Sequence, residues 1–490
     1  MYQIQTISIT LLDTMLITLE CVILALQAVA AVQLALHSPF EITSQSNNRL
    51  SKRSPVQLGG GIGRCFKIKV NVNGVSLNLQ VDSAASDIVV PISSSRSSVG
   101  LTSKSTLNEE GIMIEYKGEE YKGVTSTAAV TIPGTKIIGM DLPVIAIQKQ
   151  SPDLIGIGGR IDQGIFGFAY SSLSDQHPQS TAMDVLHNSG IIPKNEIGLQ
   201  ICPYGMLSES FINIGNTGVT PKCGTDGRSV AWVQSPSADH HTVNIKNILV
   251  NGELVELPAG FQKKVENGRT LYSYLQTCFL YMRFPKVVVD LLINTILDSD
   301  AITVKTMFRN DHLGKRKIQR KLRKNHLMSE SKYSIDWGMM PTVSIVMYSE
   351  TPVTDENRDS VVKIELGPRD YMQRYDSKHV RFTVKVCLDD YVALGTSFMT
   401  RLGLTFDLQN TRIGFGPGCG CEVATSKYPT ISNGDRVLWS PSQLPERPST
   451  SSSDVTSTPG RSFSRLGSTL RGSTRRGNKH SKVRYEKLDG

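Results

Sequence analysis

Between Cys65 and Cys421, apolar and polar residues alternate with a period of two over short runs: CFKIKVNVNGVSLNLQVD, AAVTIPGTKIIGMDLPVIAI, VNIKNILVNGELVEL, PTVSIVMY and VRFTVKVCLDD. Successive side chains of a strand point to opposite faces, so this alternation predicts half-buried β-strands. Asn73-Gly74, Pro133-Gly134 and Asn251-Gly252 supply the residues that tight turns between antiparallel strands require. Helical spacing of apolar residues shows in two places, Ser180–Ser189 and Lys286–Leu297. The predicted fold class is mainly β.

A weak internal repeat organises the strands. The strand-and-turn element QVDSAASDIVVP is followed some way on by the apolar-Gly element GIFGFAY, and YLQTCFLYMRFP is followed by VALGTSFM. Two related β lobes follow from this pairing. The expected boundaries are 54–215 for the N-terminal lobe and 216–425 for the C-terminal lobe, with a basic insertion at 303–335. Residues 426–490 turn to Ser, Thr, Pro and Arg with little apolar clustering, which predicts a disordered tail.

The amino terminus is apolar from Ile7 to Leu36, broken by Asp13 and Glu20, and contains Ala28-Val29-Ala30, a small-x-small pattern of the kind signal peptidase reads. Residues 1–30 are expected to be a signal peptide, although no Lys or Arg precedes the apolar run. An uncleaved N-terminal anchor is the alternative. Lys52-Arg53 before Ser54-Pro55 suggests dibasic processing of a pro-segment, 31–53. No later run is long enough to span a bilayer.

Composition refines the picture in one respect. The chain is 39% apolar and 20% charged, ordinary globular material, with a net charge of +9. That charge is concentrated in GKRKIQRKLRK (Gly314–Lys324) and in the last thirty residues, leaving the rest mildly acidic. Neither segment interleaves aromatics for base stacking, so no nucleic-acid partner is expected, and both read as solvated segments, the first as a loop open to processing. Of eight cysteines, Cys21 lies in the expected signal, which leaves seven, an odd number. The Cys419-Gly420-Cys421 pair lacks a second ligand pair at metal spacing, so no metal and no cofactor are expected, and disulfides are the expected fate.

The candidate chemistry begins at Asp82, a carboxylate at the end of an apolar strand and followed by small residues. In order along the chain, NGVSLNLQVDSAASDIVVP, IEYKGEEYKGVTSTAAVTI, DQGIFGFAYSSLS, MRFPKVVVD and ALGTSFMTRLGLTFDLQNTRIGF resemble the loops, flap and closing strands of the pepsin-like aspartic endopeptidases. IGLQICPYG, MPTVSIVMY and IELGPRDYM are similar to the beta-secretase (memapsin) branch. The resemblance implies a bilobal pepsin-like fold in which each lobe supplies one catalytic Asp.

Asp82 falls at the first catalytic position, with Ser83 for the family Thr, Ala84 for the Gly and Ala85 for a supporting Ser. Anchoring on MRFP places Leu275-Gln276-Thr277-Cys278 over the second motif, so Gln276 stands for the second Asp; a slide of two residues would place Tyr274 there. No Asp or Glu occurs between Asn267 and Lys286. The resemblance also implies a flap role for Tyr116 and a lobe-linking disulfide from Cys202 to Cys419 or Cys421. The expected function is an aspartic-endopeptidase homologue, impaired in catalysis, that binds a peptide or protein ligand in its cleft as a monomer in the secretory pathway or outside the cell. The alternative is an active aspartic endopeptidase, if the transcript encodes a carboxylate at the second loop.

Overall fold

The computed structural model describes residues 56–61, 65–91, 111–116, 119–147, 155–156, 160–161, 164–215, 230–266, 269–306, 312–388, 390–418 and 428–438. The expected signal peptide, the pro-segment, Cys419, Cys421 and the tail beyond 438 lie outside these residues.

Alternation in the sequence becomes alternation of burial. In Lys67–Val72, Ile68, Val70 and Val72 are fully buried while Lys67, Lys69 and Asn71 are turned toward solvent. The next strand, Val75–Asp82, returns antiparallel through Asn73 and Gly74, which have φ of 49° and 85°. Two consecutive positive φ values are what a two-residue hairpin turn needs, and Asn and Gly tolerate them best.

Residues 67–167 build a seven-stranded sheet in the order Lys67–Val72, Val75–Asp82, Ile165–Gly167, Ile88–Pro91, Met140–Ile147, Glu119–Thr131 and Gly111–Tyr116. The C-terminal half builds a five-stranded sheet, Thr242–Val243, Ser273–Leu275, Ala393–Leu394, Met282–Phe284 and Val384–Val386, and a six-stranded sheet centred on Val343–Tyr348 and Val361–Leu366. A fourth sheet takes strands from both halves: Glu196–Gln200 pairs antiparallel with Leu402–Asp407. One hydrophobic core runs through all of these, with Phe166, Phe168, Phe284, Phe398, Phe406 and Phe415 each at most 1% exposed. The mainly β, pepsin-like class agrees with the expectation.

Helices α1 (Ala182–Asn188) and α2 (Lys286–Asp298) form where the apolar spacing places them. A capping box starts α1: Thr181 Oγ1 accepts from the Asp184 amide and the Asp184 carboxylate accepts from the Thr181 amide. Helix α2 buries Val288, Val289, Leu292, Ile293 and Ile296.

Two expectations need correction. The basic segment read as a solvated loop is helix α3 (His312–Arg323), which packs Gly314, Ile318 and Leu322 against α2 and the strand Ile302–Val304. Those buried residues recur every four positions, a helical stripe that the density of charge hides. The ordered chain also continues past 425: Thr430–Asn433 pairs with Val361–Leu366, and Arg436–Leu438 pairs back on Thr430–Asn433.

Candidate functional site

Two loops built alike, one from each half, meet each other. In the N-terminal half, Val75–Asp82 lies parallel to Ile165–Gly167, with Gln80 opposite Ile165 and Asp82 opposite Gly167. In the C-terminal half, Ser273–Leu275 lies parallel to Ala393–Leu394, with Tyr274 opposite Ala393 and Leu275 opposite Leu394. The Gln80 amide donates to Gly164 O at 2.9 Å, and the Tyr274 amide donates to Val392 O at 3.0 Å.

The glycines that follow are forced by close approach. A Cβ on Gly167 would lie 2.5 Å from Ala85 O, and one on Gly395 would lie 2.4 Å from Phe279 O, inside any van der Waals contact. This explains the repeated apolar-Gly element: each is a strand threaded tightly behind one loop.

The loops clasp one another. The Ser83 amide donates to Thr277 Oγ1 at 2.9 Å, and the Thr277 amide donates to Ser83 Oγ at 3.0 Å. Each hydroxyl then donates across the junction, Ser83 Oγ to Leu275 O at 3.0 Å and Thr277 Oγ1 to Val81 O at 2.7 Å. Both side chains are 1% exposed.

This reciprocity sets the register between the halves. Ser83 corresponds to Thr277, Val81 to Leu275, and therefore Asp82 to Gln276. By the same count Tyr274 corresponds to Gln80, inside a strand.

Asp82 is fully buried, and the Ala84 amide donates to its Oδ1 at 2.9 Å. Gln276 is partly exposed, and its amide donates to Leu394 O at 3.0 Å. The other carboxylate of the first loop, Asp87, is already engaged: Ser174 Oγ donates to it at 2.7 Å and the Asp175 amide at 3.0 Å. Burial pushes the Asp87 carboxyl up, against the pull of those two donors. It stands five residues beyond Asp82 and braces the 171–175 turn.

Cys278 corresponds to Ala84 and is bonded to Cys65, with Cα atoms 4.3 Å apart across a separation of 213 residues. A covalent tie thus joins the halves beside the hydrogen-bonded Ser83–Thr277 clasp. Cys202 is also disulfide-bonded, to a partner outside the described residues, and Cys387 is a buried thiol. Tyr116 is the last residue of the strand Gly111–Tyr116 and pairs with Glu119 of the antiparallel strand Glu119–Thr131.

Sequence reasoning missed three features here. The Cys65–Cys278 bond is one, since no local spacing signals a pair that far apart. His241 is the second: it is fully buried behind both loops, its Nε2 lies 3.0 Å from Phe168 O, and its backbone carbonyl accepts from the Leu275 amide at 2.9 Å. The rings of Phe168, Tyr170 and Phe406 surround it at centroid distances of 4.6 to 5.5 Å. Burial holds the imidazole neutral, lowering its pKa to about 4.

The third is a cationic, aromatic ridge that follows the second loop. Arg283 stacks over Phe279 at 4.2 Å and Lys385 over Tyr281 at 3.7 Å, and Arg283 and Lys385 are register neighbours on parallel strands. Burial, then the charges of Arg283 and Arg381, lowers the Lys385 pKa. Mutual repulsion among these cations makes an anionic neighbour favourable.

No group of three His, Cys, Asp or Glu side chains stands at metal-binding distance among the described residues. None of the helices among them is long and apolar enough to cross a membrane. Residues 66–418 match the model of the family described as eukaryotic aspartyl protease. The curated proteins contain no match.

Proposed function

The chain belongs to the eukaryotic aspartyl protease family, and we propose that it is a beta-secretase-like member that binds a peptide or protein segment without hydrolysing it. One observation supports this reading: in the reciprocal Ser83–Thr277 clasp, Gln276 precedes Thr277 as Asp82 precedes Ser83.

Peptide hydrolysis by this family's chemistry needs two carboxylates that share a proton. Like charges at close range cannot both ionise, so one member stays ionised and takes a proton from the attacking water. The other, protonated, donates toward the scissile carbonyl as the tetrahedral intermediate forms. Both roles belong to the pair. A carboxamide at position 276 can hydrogen-bond water or a carbonyl but can neither accept nor release a proton near neutral pH. Asp82 alone offers one protonation state at a time.

The surroundings support loss of turnover with retention of binding. Ala84 and Cys278 stand where the resemblance places glycines, and the latter is committed to a disulfide. The clasp, the threaded glycines and the hairpin ending at Tyr116 are the parts that shape a peptide cleft in this family, and they are kept. We assign Tyr116 the flap role and the Arg283–Lys385 ridge the recognition of acidic groups on the bound segment. The disulfides suit an oxidising compartment, in agreement with a secretory route.

The test is a degenerate peptide library incubated with the immobilised full chain, read for retained peptides and for new amino termini by mass spectrometry. The expected result is retention of a subset enriched in Asp and Glu, without new termini. Absence of retention would refute the binding role, and new termini lost in Asp82→Ala would refute the loss of catalysis.

A further inference from the structure

Helix α3 has two faces with different fates. Gly314, Ile318 and Leu322 are buried against α2 and the strand Ile302–Val304. The opposite face carries Arg316, Lys317, Arg320, Arg323 and Lys324, all exposed. At 3.6 residues per turn these five fall within an arc of about 120°, and Arg316, Arg320 and Lys324 follow one another at steps of about 6 Å along the axis.

Nearby acids neutralise only the edges of this stripe. Lys315 pairs with Asp300 at 3.0 Å, Arg323 with Asp290 at 2.7 Å, and Lys321 Nζ donates to Leu327 O at 3.2 Å. Arg316, Lys317, Arg320 and Lys324 have no carboxylate partner among the described residues. A rigid, packed helix that leaves four cations in line pays a repulsive cost that a polyanion lying along it would relieve.

We propose that this face is a docking surface for a linear sulfated polysaccharide of the heparin type. The choice among polyanions rests on three observations. The apolar face of α3 is already buried in the protein, so the helix has nothing to insert into a lipid surface. Its exposed face holds no aromatic on which a base could stack. Two of the four unpaired cations are guanidiniums, whose planar fork matches the oxygens of a tetrahedral oxyanion better than an ammonium does. The polysaccharide source also rests on the secretory reading given above, since sulfated chains lie outside the cell while anionic lipids line the cytoplasmic leaflet. Binding here is independent of the cleft.

The experiment measures full-length chain against size-defined heparin oligosaccharides by titration calorimetry across a series of salt concentrations. Parallel arms use duplex DNA, phosphatidylserine vesicles and hyaluronan, which carries carboxylates but no sulfates. The variant R316A/K317A/R320A/K324A removes the stripe with good helix formers at exposed sites, so folding is retained. A control, K136A/K194A/K263A/K378A, removes the same charge elsewhere.

The stripe variant is expected to bind heparin at least about tenfold more weakly, with the slope of log K against log salt reduced by about three, because about four fewer counterions are displaced. The control is expected to change neither by more than about twofold. Equal losses in the two variants would show that net charge alone acts and would overturn the proposal. Tighter binding to vesicles or to duplex DNA than to heparin would overturn the assignment of the polyanion, whatever the cleft does.

Discussion

Acidification should destabilise this protein through one histidine. His241 has an imidazole pKa lowered to about 4 by burial, against the ordinary value of 6.5. Below about pH 6.5 the unfolded chain takes up a proton that the folded chain refuses until about pH 4, so stability falls as pH drops through that window. For a single site with these two pKa values, the loss from pH 7 to pH 5 is about 2 kcal/mol, and it approaches about 3 kcal/mol at pH 4.

Carboxylates elsewhere in the protein contribute their own acid sensitivity, since Asp239, Asp290 and Asp376 are all held below the ordinary range by hydrogen bonds and nearby cations. The difference between native chain and a His241→Gln variant isolates the histidine: Gln keeps an N–H donor for Phe168 O and does not titrate. Urea titrations at pH 7 and pH 5 are expected to show the native chain losing about 2 kcal/mol more than the variant between the two conditions. The same pH dependence in both would refute the role given to His241. The consequence for function is direct. A carboxylate pair works in acid, and the histidine packed behind both loops favours neutral pH.

Other outcomes follow from the same geometry. Ser83→Ala and Thr277→Val each strip a buried amide of its acceptor, so each should cost about 1–3 kcal/mol, and a double-mutant cycle should show coupling of about 1 kcal/mol or more. Replacing Cys65 and Cys278 together by Ser removes a 213-residue constraint from the unfolded chain and should lower stability by about 5 kcal/mol in denaturant titrations run without reductant. Arg401→Met leaves the fully buried Asp370 without its 2.9 Å partner and should cost about 3–5 kcal/mol in the same assay.

Much of this was legible in the sequence, for stated reasons. Period-two alternation located strands such as Lys67–Val72 and Val361–Leu366 because one face of each is in the core. The repeated apolar-Gly elements were readable because Gly167 and Gly395 meet carbonyl oxygens where no Cβ fits. The sequence left Gln276 and Tyr274 both open, because the clasp that favours Gln276 joins residues 194 apart. Helix α3 was obscured because its charges dominate a three-residue apolar stripe, and the strands at 430–438 because four- and three-residue runs carry too little alternation to register. His241, beside His240 in a polar run, gave no sign that the fold would bury it completely.

The most direct measurement of the central claim is turnover of a fluorogenic peptide library by the purified full chain from pH 3 to pH 7, with Asp82→Ala and a pepstatin-type inhibitor as controls. If Gln276 takes the place of the second carboxylate, as proposed, the native chain shows no cleavage above the Asp82→Ala background at any pH. Inhibitor-sensitive turnover that disappears in Asp82→Ala would contradict it.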